Sequence, residues 1–122
     1  MSYKNLIKLT FIMLIFDYIW IAHIAKKIYF ETINKIDKSE YSPKRYISAV
    51  FAYICLLYLI WINQDKSSNE RFIIGIAIYG LFNFTNGFMF SDWNSTVIVL
   101  DTIWGGTLFI TVPLLAKLLT SR

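Results

Sequence analysis

Four apolar runs, at about 6–25, 46–63, 72–90 and 95–119, decide what this chain can fold into. A helix rises about 1.5 Å per residue, so about 20 residues cross the roughly 30 Å hydrocarbon layer of a bilayer. Each run has that length. Barrel strands alternate apolar and polar residues with a period of two, and these runs do not. The expected fold class is therefore all-α: an integral membrane four-helix bundle forming a single transmembrane domain over residues 1–122, with both termini on one side. The first run resembles a signal sequence in having Lys4 and Lys8 ahead of an apolar core, but Asp17 interrupts that core and no small-residue cleavage site follows. It is expected to remain in the mature protein.

The connections carry the rest of the pattern. Residues 26–45 interleave Lys26, Lys27, Lys35, Lys38, Lys44 and Arg45 with Ile28, Tyr29, Phe30, Ile33 and Ile36. Apolar spacings of three and four predict a short amphipathic interfacial helix with its lysines snorkelling to water. Ser42-Pro43 marks the turn into the second span, and Trp61 reads as an interface anchor. The segment 64–71 is short and polar, which makes its neighbouring helices antiparallel. Gly75, Gly80 and Gly87, then Gly105 and Gly106, are places where helices can approach closely, and Pro113 is a place for a kink. In the corner Ser91-Asp92-Trp93-Asn94, Asp92 is expected to cap the last helix with help from Ser95.

Composition narrows the partners. Hydrophobic residues make up 57% of the 122-residue chain and mean hydropathy is +0.52, above the roughly 45–50% apolar content of soluble domains. One cysteine, Cys55, excludes an intramolecular disulfide, and with a single histidine, His23, no zinc or iron site of nitrogen and sulfur ligands is expected. No metal and no cofactor is assigned. The net charge of +4 resides in residues that flank the spans, so the expected partners are membrane lipids and not nucleic acid. Lys26, Lys27, Lys44 and Arg45 are the expected contacts to anionic headgroups.

Asp17, Tyr53, Asn83, Asn86 and Asp101 interrupt the runs. An ionisable side chain inside a span costs a few kcal/mol or more against lipid, so it faces protein or a water-filled cavity and has a partner. Depth identifies the candidates. Call the face at which the first helix starts side A and the other side B. At about 1.5 Å per residue, Asp17 and Asn83 lie roughly 14 Å from B, while Asn86 and Asp101 lie roughly 9 Å and Tyr53 roughly 10 Å from it. All five fall in the B-side half.

Asp17-Tyr18-Ile19-Trp20 and Asp101-Thr102-Ile103-Trp104 share an Asp-x-x-Trp pattern, which sets an indole one turn along from each carboxylate as an N–H donor and a low-dielectric wall. The expected polar site is thus Asp17, Trp20, Tyr53, Asn83, Asn86, Asp101 and Trp104. Two carboxylates at nearby levels require a shared proton or a cation between them. A purely structural hydrogen-bond knot is the plain alternative. Interhelical hydrogen bonds in membranes contribute about 0.6 kcal/mol on average, so packing alone gives weak reason to bury two carboxylates.

These motifs resemble domain-of-unknown-function family 2177, a family of small membrane proteins, over nearly the whole chain. The similar stretches are Phe16-Asp17-Tyr18-Ile19-Trp20 continuing to Lys26-Lys27-Ile28-Tyr29, Phe82-Asn83-Phe84-Thr85-Asn86, Asp92-Trp93, and Asp101 to Gly105. The chain departs at Asn83, where the family pattern has Asp, and at Asn94, where it often has Pro. The first departure removes a titratable group and with it the basis for a three-carboxylate metal site. The resemblance implies a four-helix membrane fold and no particular activity.

Function follows from the buried acidic groups. The leading expectation is a small transporter or ion- or proton-coupled carrier of the plasma (inner) membrane, working as a homo-oligomer because four short helices leave little room to enclose a path. The alternatives are a membrane enzyme acting on a lipid or amphiphile, with Asp17 or Asp101 as general acid/base, and an accessory or assembly protein whose polar cluster only sets packing. Positive charge does not orient the chain: Lys4, Lys8, Lys66, Arg71, Lys117 and Arg122 lie on side A, and Lys26, Lys27, Lys35, Lys38, Lys44 and Arg45 on side B.

Overall fold

All four apolar runs are helical. The computed structural model describes residues 3–36 and 43–120, and every regular element among them is a helix. These are α1 (Tyr3–Ile19), a π-helical segment (Trp20–Ala25), α2 (Lys26–Ile36), α3 (Pro43–Ile62), α4 (Ser68–Met89) and α5 (Ser95–Thr120). Four stretches are long and apolar enough to cross a membrane: Asn5–His23, Pro43–Ile62, Ser68–Met89 and Ser95–Leu119. The architecture is an all-α helical bundle of membrane type. Residues 37–42 of the expected interfacial segment, including Ser42, lie outside the described residues.

Capping, more than hydropathy, sets the helix starts. Helix α3 begins at Pro43, whose fixed φ and missing N–H suit the first helical position. Helix α4 begins at Ser68, because the Ser67 hydroxyl accepts from the Glu70 backbone N–H at 3.2 Å, the first half of a Ser-x-x-Glu capping arrangement. At α5 the cap is Asn94, whose Oδ1 accepts from the Thr96 N–H at 2.7 Å. The expected cap, Asp92, sits two residues outside the capping position and is replaced in that role by the residue next to the helix.

The tightest contact in the bundle is the antiparallel pair α4 and α5. A methyl group on Gly75 would lie 2.3 Å from the Gly105 carbonyl oxygen and 2.9 Å from Gly106 Cα, so the two backbones touch directly. Gly105 in turn seats the Tyr79 ring and Gly106 the Phe72 ring. The apolar core gathers around α5 toward side A, with Leu9 and Met13 of α1, Ile60 of α3 and Phe109, Val112 and Ala116 of α5 fully or almost fully buried. Trp61, expected as an interface anchor, packs against this core.

Arg71, counted among the positive charges of side A, is only 5% exposed. Pro113 lacks the N–H that would bond the Phe109 carbonyl, and Arg71 Nε donates to that carbonyl at 3.0 Å. Its other nitrogens donate to the carbonyls of Lys66 at 2.5 Å and Ile110 at 3.3 Å. The guanidinium thus replaces the hydrogen bond that proline removes, and α5 runs on as helix through Pro113 to Thr120.

Two stability tests follow. Gly75→Ala should destabilise the protein by about 1–3 kcal/mol through backbone overpacking, while Gly80→Ala, whose added methyl would meet nothing nearer than 3.6 Å, should leave thermal unfolding in detergent nearly unchanged. Arg71→Met should cost about 2 kcal/mol or more in the same assay by orphaning buried carbonyls, and Pro113→Ala should recover part of that loss by restoring the helix's own bond.

Candidate functional site

Beyond the apolar core, toward side B, the helices separate around a cavity of about 760 Å³. Its polar wall is made by Asp17, Trp20, Tyr29, Tyr53, Tyr79 and Asp101, and most of the remaining lining is aliphatic or aromatic. Helix α3 leaves the space open. Ile60, near its end, is the buried residue of that helix, and its earlier turns line the cavity through Ala52, Tyr53 and Leu56, with Tyr53 reaching across to Asp17. Exposed Ile21, Phe30 and Cys55 also belong to the lining, so the cavity opens sideways at the flank of the bundle.

Both carboxylates are 7% exposed. Asp17 accepts from the Tyr53 hydroxyl through Oδ2 and from Trp104 Nε1 at 3.3 Å through Oδ1. Asp101 accepts from Asn83 Nδ2 at 2.6 Å and is hydrogen-bonded by the Tyr29 hydroxyl. Each carboxylate therefore has two donors, all four of them neutral. Each also lies in the field of the other, and Tyr79 senses both. Among the described residues neither has an ion-pair partner, and no three His, Cys, Asp or Glu side chains converge.

The two Asp-x-x-Trp motifs are crossed. Trp104 donates to Asp17 of the other motif, not to its own Asp101, because α1 and α5 are antiparallel and their indoles meet at the interface. The Trp20 and Trp104 rings stack with centroids 4.8 Å apart and planes within 2°. Trp20 itself is 9% exposed and lines the cavity beside the Tyr29 phenol.

Tyr29 and Tyr79 are cavity residues that the sequence pattern did not single out. In a continuous α-helix Tyr29 would sit roughly 120° around from Asp17, twelve residues earlier. The π-helical segment Trp20–Ala25 advances each residue by roughly 80° in place of roughly 100°, which turns the following helix back by about 120° and brings Tyr29 onto the Asp17 face. Helix α2 is thus more than a surface float. Burial and the Asp101 charge push the Tyr29 phenol well above the usual tyrosine range, so it stays a neutral donor. Tyr79 precedes Asn83 by one turn, a spacing that could have marked it, and its ring rests on Gly105.

Asn83 is fully buried and donates to both the Tyr79 carbonyl at 2.9 Å and Asp101. Asn86 does not join them. The hairpin register pairs Asn83 with Asp101 and Gly87 with Ile98, which places Asn86 almost a turn closer to the corner, half-buried and outside the cavity lining. Lys26 and Lys27 are exposed at the start of α2, Lys44 is exposed and Arg45 half-buried in the first turn of α3, and Lys26 alone of these four reaches the cavity lining.

A family model described as "Predicted membrane protein (DUF2177)" matches residues 3–118. The chain belongs to the DUF2177 family. No curated protein and no solved structure matches it. In this DUF2177 protein the Asn83 amide supplies Asp101 with a donor, which an acceptor-only carboxylate at that position would not.

If Tyr53 and Trp104 hold Asp17 as described, their loss should not be independent of Asp17. Thermal unfolding of Tyr53→Phe, Asp17→Asn and the double variant should give a coupling of about 0.5–2 kcal/mol. Simple additivity would mean that the hydroxyl and carboxylate do not interact.

Proposed function

We propose that the protein is a small proton-coupled carrier of the plasma (inner) membrane, with Asp17 and Asp101 as its substrate- and proton-binding groups. The observation that supports this reading is the pairing of two buried carboxylates, each held by two neutral donors, on one cavity. Neutral donors orient a carboxylate and stabilise its charge in part, yet they leave the pair with a net charge that a low-dielectric setting penalises. A proton or a cationic substrate relieves that penalty, and exchange between the two is the chemistry of coupled transport. In this reading the carrier works as a homo-oligomer, with α3, which buries little of itself, as the helix available to a second copy, and with Lys26, Lys27, Lys44 and Arg45 against anionic headgroups.

A second reading has one observation in its favour, the sideways opening of the cavity between Ile21, Phe30 and Cys55. An acyl chain entering there would bring its headgroup near Lys26, and Asp17 or Asp101 would act as general acid/base on a lipid or other amphiphile.

Reconstitution separates the two. A carrier predicts that Asp101→Asn folds and inserts into liposomes but loses substrate-dependent proton flux, read with an internal pH dye, by at least tenfold. Unchanged flux in that variant overturns the carrier reading. Conversion of a lipid in the same liposomes, lost in Asp17→Asn or Asp101→Asn, would establish the enzyme.

A further inference from the structure

We infer that the ligand of this cavity is a lipophilic organic cation, an amine or quaternary onium centre carried on apolar or aromatic groups. The inference rests on the carrier reading and names the substrate class of the same site. Two independent features of the cavity agree on it.

The first is charge. Asp17 and Asp101 are the acidic groups of the lining, and Lys26, its one cation among the described residues, is exposed at the rim. A positive centre between the carboxylates cancels their mutual repulsion, whereas an anion adds to it. A bare metal ion fits poorly, because hard cations take six or more oxygen ligands and the wall here is otherwise phenol, indole and hydrocarbon.

The second is size and surface. About 760 Å³ is far more than a proton or an inorganic ion occupies and falls within the roughly 300–1,000 Å³ typical of sites for drug-sized molecules. Ile33, Leu56, Leu59 and Ile78 offer apolar contact, and Trp20 and Tyr79 offer aromatic surface to an onium group, an attraction of about 2 kcal/mol or more when water is excluded. The sideways opening suits a molecule that partitions first into the membrane.

Tetraphenylphosphonium and tetraphenylborate share size, shape and four phenyl rings and differ in the sign of their charge, so they test the class without any mutation. The protein in nanodiscs should bind the phosphonium saturably, read by quenching of tryptophan fluorescence, at least tenfold more tightly than the borate. Cys55, the chain's one cysteine and part of the cavity lining, should react with N-ethylmaleimide at least fivefold more slowly when the phosphonium is present. The double variant Asp17→Asn, Asp101→Asn should weaken phosphonium binding at least tenfold, while Ile73→Ala on the outer face of α4 should not. Equal or tighter binding of the borate, or absence of both phosphonium quenching and Cys55 protection, overturns the inference, and those wild-type measurements decide it if the double variant fails to fold. Flux keeps the two readings apart. Phosphonium binding without transport overturns the carrier and leaves the ligand class standing, whereas substrate-driven proton flux in a protein that ignores the phosphonium does the reverse.

Discussion

Direct contact between two helix backbones fixes nearly everything else. Gly75 lies against Gly105 and Gly106, and a side chain on any of the three would force α4 and α5 apart or displace the aromatic rings seated there. That approach sets the register of the hairpin, and the register brings Asn83 to Asp101 and lays Tyr79 over Gly105. Farther toward side A the same pair is tied by Arg71, which binds the carbonyl that Pro113 leaves open. One helix pair therefore serves as the frame. Helix α1 contributes Asp17 against it, and α3 joins through Ile60 in the core and Tyr53 at Asp17.

Within that frame the polar site looks costly for a structural device. Interhelical hydrogen bonds in membranes contribute little on average, and an amide or hydroxyl in place of either carboxylate would supply comparable bonds without a charge. The donors chosen are tyrosine, tryptophan and asparagine, none of which neutralises a carboxylate, and the space beside them is a cavity instead of packed side chains. A site left short of positive charge and open at the flank of the bundle is suited to something that arrives carrying it.

The sequence made the four helices legible because their length and hydrophobicity respond to one quantity, the thickness of the hydrocarbon. It also supported a common depth for Asp17, Tyr53, Asn83 and Asp101, since rise per residue depends only on helical geometry. What it could not supply was rotation. Which carboxylate receives the Trp104 N–H depends on how α1 and α5 face each other, and the motif spacing is silent on that. Tyr29 was hidden for a related reason: the π-helical segment changes the phase between α1 and α2, and α-helical periodicity places that side chain elsewhere. Asn86 failed in the opposite sense, sharing a face with Asn83 but lying almost a turn away along the axis. The burial of Arg71 left no mark in the sequence because its partners are backbone carbonyls, one of them freed by a proline 42 positions later in the chain.

The central claim is that the Asp17 and Asp101 pair is deficient in positive charge until a proton or a ligand supplies it. Difference infrared spectroscopy of the carboxylic C=O stretch, with the Asp17→Asn, Asp101→Asn variant as the blank, addresses it directly. The account predicts carboxyl bands, present in the native chain and absent from the blank, that change when a lipophilic cation binds. Bands that the cation leaves unchanged would contradict it.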